Sequence, residues 1–354
     1  MSDAGGAHPS SREEFRKIQL TGRSSYVVSL PKRWATSLGL KPGDAVSIKM
    51  QEDSSLLISP RGGIPPKRET ELGEVRLVKG QEDPQSLARR IVSLYLVGHN
   101  LIHVSSTDGA LTLRERSMIK HLAETKLVGG EIIEESPKLI SLRILASYPG
   151  LTVEDALRRM FSLALAMQRD AISALKTLDR ELMEAVIRTD DEVDRFSLYI
   201  VRQLKRAVED ERLIREIGLR TAKECLGYRL AVKAVERVAD HAVRMAENML
   251  LVEKPLDPEL YGRIQRLGSM ANRLFEEAMY ALFRRDYEAA DRTITRAAMF
   301  TLMEKETVEM LLSSGLSAKE AANLRLIIES SRRIAEYSED IAEVTLNRTV
   351  EETL

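Results

Sequence analysis

The sequence predicts a multidomain chain: a small β-rich hairpin domain, then a small α/β sandwich, then an all-α domain made of a duplicated three-helix bundle. Three observations carry that prediction. Nine of the eleven prolines lie at or before Pro149, and the other two, Pro255 and Pro258, share one apparent inter-helix loop. Mixed structure therefore gives way to helices near residue 150. The apolar residues before that point fall in short runs punctuated by Gly, Pro and Asp, whereas beyond it they recur at steps of three and four. Finally, a late helix repeats an earlier one at a shift of 96: Val232, Glu236, Ala239, Val243, Ala246 and Leu250 fall on Ile328, Arg332, Ala335, Glu339, Ala342 and Leu346.

Length and charge bound what such a chain does. At 354 residues it is long for a single core, so two or three domains are expected. One cysteine, Cys225, excludes an internal disulfide and a Cys-based zinc cage, and suits a cytoplasmic protein. No apolar run approaches the roughly 20 residues of a spanning helix, so no membrane insertion is expected. A net charge of −1 gives no global field for nucleic acid, and any such binding must be local.

Residues 1–11 are small and polar and read as a disordered leader. The next unit, 12–61, opens with strands at 16–20 and 26–30, after which Pro31 begins a short helix that Gly39 stops. Lys41-Pro-Gly-Asp44 has the chemistry of a tight turn, and two further strands, 45–50 and 56–60, close the unit. About fifty residues with few large apolar side chains make a marginal core, which a second copy would complete.

The Ser-Leu-Pro31-Lys-Arg-Trp34 segment followed by Leu38-Gly-Leu40 and Lys41-Pro-Gly-Asp44 resembles the SpoVT/AbrB (MazE-like) swapped-hairpin domain. The resemblance implies an intertwined homodimer that binds operator DNA through basic residues of the paired hairpins. Between Arg12 and Arg61 nine Lys and Arg stand against five Asp and Glu, the local excess that DNA binding requires. Its candidates are Arg16, Lys17, Arg23, Lys32 and Arg33. The same charges would also serve simply to solvate a small dimer, since some members of this fold bind proteins instead.

Residues 62–73 read as a linker. From 74 to 148 the order βαβαββ predicts a small α/β sandwich, with helices at about 84–98 and 112–126. It carries no Gly-rich phosphate loop of the P-loop type, and its histidines, His99, His103 and His121, show no ligand spacing.

Beyond residue 150 the helices begin at capping signals: Thr152-Val-Glu-Asp155, Asp257-Pro258 and Ser317-Ala-Lys-Glu320. They form two three-helix units, 151–253 and 256–348, with the second unit's middle helix read as continuous over 287–312. In the first unit the apolar stripes contain acids. Asp190 and Asp194 lie on the second helix, and Glu236 and Asp240 lie on the third. A carboxylate in an apolar seam requires a cation, a hydrogen bond or a proton, and four such groups between two antiparallel helices would suit a metal ion.

Glu236-Arg-Val-Ala-Asp240-His241-Ala-Val-Arg-Met-Ala-Glu247-Asn248, with Asp190-Asp-Glu-Val-Asp194 before it, resembles the PhoU family. The resemblance implies bound metal, iron or zinc, at Asp190, Asp194, Glu236 and Asp240, together with control of phosphate uptake. The second unit departs from the pattern: Arg332 and Glu336 replace Glu236 and Asp240, and Ala297 and Thr301 replace Asp190 and Asp194. One site per chain is expected, with an Arg332–Glu336 pair in its degenerate counterpart.

Together the two resemblances imply a dimeric, DNA-binding transcriptional regulator of phosphate uptake. In a second reading the protein acts by contact with a phosphate ABC transporter or its signalling kinase, and the first unit only dimerises. The Glu-x-x-His motifs of di-metal carboxylate oxidases are absent from the seam, so an enzyme is not expected.

Overall fold

The computed structural model describes residues 14–22, 24–50, 54–61, 72–77, 83–107, 109–145 and 151–353. The leader at 1–11, Arg23 and linker residues 62–71 lie outside the described residues. The chain divides into two compact units, 1–69 and 70–354.

In the first unit β1 (Gln19–Thr21) pairs antiparallel with β2 (Ser25–Val27), and β3 (Val46–Met50) with β4 (Leu56–Pro60). Between the two ladders lies the short α1 (Lys32–Ser37). The turn at 41–44 forms as its sequence requires: Asp44 N–H donates to the Lys41 carbonyl at 3.0 Å, Lys41 N–H donates to the Asp44 carboxylate at 2.7 Å, and Gly43 takes φ 99°. The ladders belong to separate sheets, and no described residue of this unit is buried. Phe15, Ile18, Leu20, Tyr26, Ile48, Met50 and Leu56 all lie exposed.

The second unit opens with an α/β layer: β5 (Leu72–Leu77), α2 (Pro84–Val97), β6 (Leu101–Ser106), α3 (Leu113–Thr125), β7 (Gly130–Glu135) and β8 (Leu139–Ile144). β5 starts at Leu72, inside the stretch that composition assigns to a linker. The sheet runs β5-β6-β8-β7, with β5 parallel to β6 and the other pairs antiparallel. Leu87, Ile91 and Tyr95 of α2 and Ile119 of α3 pack with Val75, Ile102, Val104, Ile140 and Leu142 of the sheet. Leu198, from a helix of the following domain, joins the same cluster.

The helices follow as two sets: α4 (Val153–Thr177), α5 (Arg180–Glu209), α6 (Glu211–Glu216) and α7 (Glu224–Met249), then α8 (Pro258–Arg284), α9 (Tyr287–Ala297), α10 (Phe300–Ser313) and α11 (Ala318–Thr353). Their starts are capped as the sequence indicates. Thr152 and Asp155 form a capping box, Asp257 accepts from the Glu259 N–H, and Ser317 and Glu320 exchange the same pair of bonds. The repeats correspond closely at their first corner, where Leu178 and Arg285, 107 positions apart, both end a helix at positive φ and the next residue, Asp179 or Asp286, caps the following one. α4 crosses α8 closely enough that a Cβ at Gly268 would lie 2.6 Å from Ile172.

One element differs from expectation. The helix read as continuous over 287–312 is interrupted between α9 and α10 at Ala298 and Met299. Neither residue is a helix breaker, so no local signal marks the break. Phe300 is buried just after it, while Met299 is exposed.

A candidate acidic seam in the first helical repeat

α5 and α7 bring together the four acids that the periodicity singles out. Asp190 is pushed up to about 7 by partial burial and by the charges of Asp194 and Asp240. Asp240 is raised by burial and then by Glu236. The seam therefore holds more negative charge than it comfortably carries, and two lysines answer part of it. Lys126, just past the end of α3, places Nζ 2.8 Å from Asp194 and 2.7 Å from Asp191. Burial alone would lower the Lys126 ammonium, but the hydrogen bonds to those two carboxylates win, and its pKa rises. Lys233 donates to Glu236 at 2.7 Å, and Ser197 donates to the other oxygen of the same carboxylate at 3.3 Å.

This arrangement bears directly on a metal. Among the described residues no group of three or more Asp, Glu, His or Cys side chains is gathered to hold one ion. As placed, the donor set does not fit a closed metal cage: Asp194 and Glu236 point their oxygens at ammonium groups. The four acids share a neighbourhood and an unfavourable charge, not a common point.

The second repeat fills the equivalent space with a different set of charges. Glu304 of α10, 107 positions after Ser197, is buried and forms ion pairs with Arg332 at 3.4 Å and Arg325 at 3.2 Å. Arg332 also pairs with Glu336, the i, i+4 contact expected from the sequence.

Three residues of consequence escape sequence reasoning. Arg202 of α5 is buried without an acidic partner among the described residues, and its guanidinium donates to the Tyr95 carbonyl, the Gly98 carbonyl at 3.2 Å and Asn100 Oδ1 at 2.6 Å. Burial lowers its pKa to about 10. It ties the turn after α2 to the bundle, and nothing in the helical periodicity pointed to its burial. Lys126 gave no signal at all, because its partner Asp194 lies 68 residues away and Asp191 is nearly as distant in the chain. His241 is buried between α7 and α11, 3.2 Å from Ser330 Oγ and beside Tyr337. Burial holds it down to about 4.

The DNA-binding candidates lie in the first unit. Arg16, Lys17, Lys32 and Arg33 are exposed there, with Arg16 paired to Glu14 and Lys32 and Arg33 in the first turn of α1. No helix among the described residues is long and apolar enough to cross a membrane.

Known proteins resemble the chain in two places. The PhoU domain model matches residues 157–249 and again 264–345, and the model described as antidote-toxin recognition MazE, bacterial antitoxin, matches 19–66. A phosphate-specific transport system accessory protein PhoU homolog from Pseudomonas aeruginosa is 26% identical over 208 residues, covering 55% of this chain and 81% of its own. The homolog of the same description from Pseudomonas putida is 25% identical, with 55% and 76% covered. Among solved structures, the phosphate transport system regulatory protein PhoU from Streptococcus pneumoniae superposes with a TM-score of 0.49 at 17% identity, over 57% of this chain and 95% of its own. The chain thus carries PhoU domain matches in two successive copies, preceded by a MazE-like domain.

Proposed function

We propose that the protein regulates phosphate uptake by binding rather than by catalysis, as a homodimer whose N-terminal units hold operator DNA. The observation that carries the dimer and the DNA site together is the state of the first unit. It has two separate ladders, no buried residue among those described, a set of exposed large apolar side chains, and exposed Arg16, Lys17, Lys32 and Arg33 beside them. Such a unit gains a core only from another chain, and pairing two copies doubles the basic surface. The link to phosphate transport comes from the Pseudomonas relatives, which are phosphate-specific transport system accessory protein PhoU homologs.

Metal binding at Asp190, Asp194, Glu236 and Asp240 belongs to this proposal, with iron or zinc as the ions that the family resemblance implies. It requires the Lys126 and Lys233 ammonium groups to leave Asp194 and Glu236. Elemental analysis of the purified chain against Glu236→Ala/Asp240→Ala tests it, and equal metal content in the two proteins removes the seam as the site.

The test of the main proposal is binding to DNA upstream of the protein's own gene and of phosphate-transport genes, titrated with salt. Specific binding should weaken steeply with salt, as several phosphate contacts demand, and Arg16→Ala/Lys17→Ala/Lys32→Ala/Arg33→Ala should abolish it while sedimentation still reports a dimer. Binding indistinguishable from that to random DNA would instead favour contact with a phosphate ABC transporter or its signalling kinase, the N-terminal units then serving assembly alone.

A further inference from the structure

Away from the acidic seam, α8 and α9 enclose a cleft of about 270 Å³ at the first corner of the second repeat. Its wall includes Tyr280, Arg284, Arg292 and Arg296, with Glu277 and Asp286 as the acids. The charges are not equally engaged. Arg296 is held by Glu277 at 2.6 Å, and Asp286 is committed to capping α9 through the Ala289 N–H at 2.9 Å. Arg284 lies over the Tyr280 ring, its carbon 5.8 Å from the centroid. Neither Arg284 nor Arg292 makes a hydrogen bond or ion pair among the described residues. Two guanidinium groups with open donors thus converge on one cleft from facing helices, beside an aromatic ring left 43% exposed.

The duplication separates what the corner's fold needs from what this cleft adds. Carried back by 107 positions, Glu277 and Asp286 fall on Asp170 and Asp179, so the acids are common to both corners. Arg284, Arg292 and Arg296 fall on Thr177, Ala185 and Thr189, and Tyr280 falls on Ser173. The first repeat makes the same corner, with the same αL residue and the same capping aspartate, and needs none of the four. The cations and the ring are therefore surplus to the corner's structure.

We infer that this cleft binds the phosphate group of a small molecule, with Arg284 and Arg292 as the anion's donors. Planar guanidinium forks suit phosphate oxygens in paired geometry, and two of them not hydrogen-bonded to either acid of the wall favour a compact dianion. The volume exceeds that of a bare phosphate, and the Tyr280 face offers a flat surface to a ring attached to it. The inference rests on the cleft alone and stands whether or not the N-terminal unit binds DNA.

Isothermal titration of the full chain with inorganic phosphate and, separately, with adenosine monophosphate, at constant ionic strength, tests it. Saturable binding of either probe is expected; tighter binding of the nucleotide assigns the ring to Tyr280, and equal binding assigns the site to the phosphate alone. Arg284→Gln/Arg292→Gln should weaken binding at least tenfold with the helical circular dichroism unchanged. Glu277→Gln, which frees Arg296, should tighten it about threefold. Absence of binding of both probes at millimolar concentration overturns the inference, as does binding that the double variant leaves intact.

Discussion

The two helical repeats solve the same packing problem with opposite charges. In the first, Ser197 faces Glu236 across the α5–α7 seam, and Asp190, Asp194 and Asp240 crowd the same neighbourhood. In the second, the position of Ser197 is taken by the buried Glu304 and that of Glu236 by the half-buried Arg332, and the two form an ion pair. A self-neutralising pair is stable without help. A cluster of like charges is not, and it draws in a cation from elsewhere: here Lys126, from the α/β layer. The difference teaches that the degenerate repeat has become structural, while the acidic repeat stays dependent on an external positive charge.

The strongest way to break that contrast is to remove the central side chain from each seam. Glu304→Ala takes the buried carboxylate from Arg325 and from Arg332, which keeps Glu336, and should cost about 2 kcal/mol, whereas Ser197→Ala should cost under about 1 kcal/mol. Urea unfolding followed by circular dichroism compares them, and equal losses would mean that the seams are energetically alike.

A second effect concerns the boundary between the repeats, where His241 of α7 packs against Ser330 and Tyr337 of α11. Its pKa is depressed from the ordinary value near 6.5 to about 4 by burial. The unfolded chain therefore binds this proton more readily. The stability the neutral ring contributes is complete above pH 6.5 and is lost as pH falls toward 4, a change of about 3 kcal/mol. Asp190 has the opposite sign: its pKa is raised to about 7, so the stability it contributes is complete below the unfolded carboxylate range and is lost as pH rises through 7. His241→Asn should flatten the first slope and leave the second, and denaturation midpoints across that window separate them.

The smallest effect sharpens the role of the lysine. Lys126→Met removes the ammonium from Asp191 and Asp194 and should cost about 1 kcal/mol, because one of the two acids is largely solvated. Added zinc should then raise the melting temperature of the variant more than that of the parent protein. An equal rise in both would show that Lys126 does not compete for the seam.

Much of this organisation follows from local sequence. Capping boxes at Thr152 and Ser317, the aspartate and proline at 257–258, and the turn at 41–44 each depend on residues within four positions of one another, so their chemistry is complete in the linear text. The acids of the seam are visible for the same reason, since they interrupt a periodicity that can be counted. The interruption at 298–299 is invisible because Ala and Met carry no breaking tendency and long-range packing decides it.

The sequence by itself determined most of the order of elements, the duplication and the acids of the first seam, because propensity, capping and period act over a turn or two of chain. Only the tertiary structure decided which charges answer which. Lys126 and Asp194 are 68 residues apart, Arg202 and Tyr95 are 107 apart, and His241 meets Ser330 across 89. Contacts at such separations leave no periodic trace, since each partner, taken alone, is an ordinary polar residue. What makes them matter is burial, and burial is a property of the assembled fold.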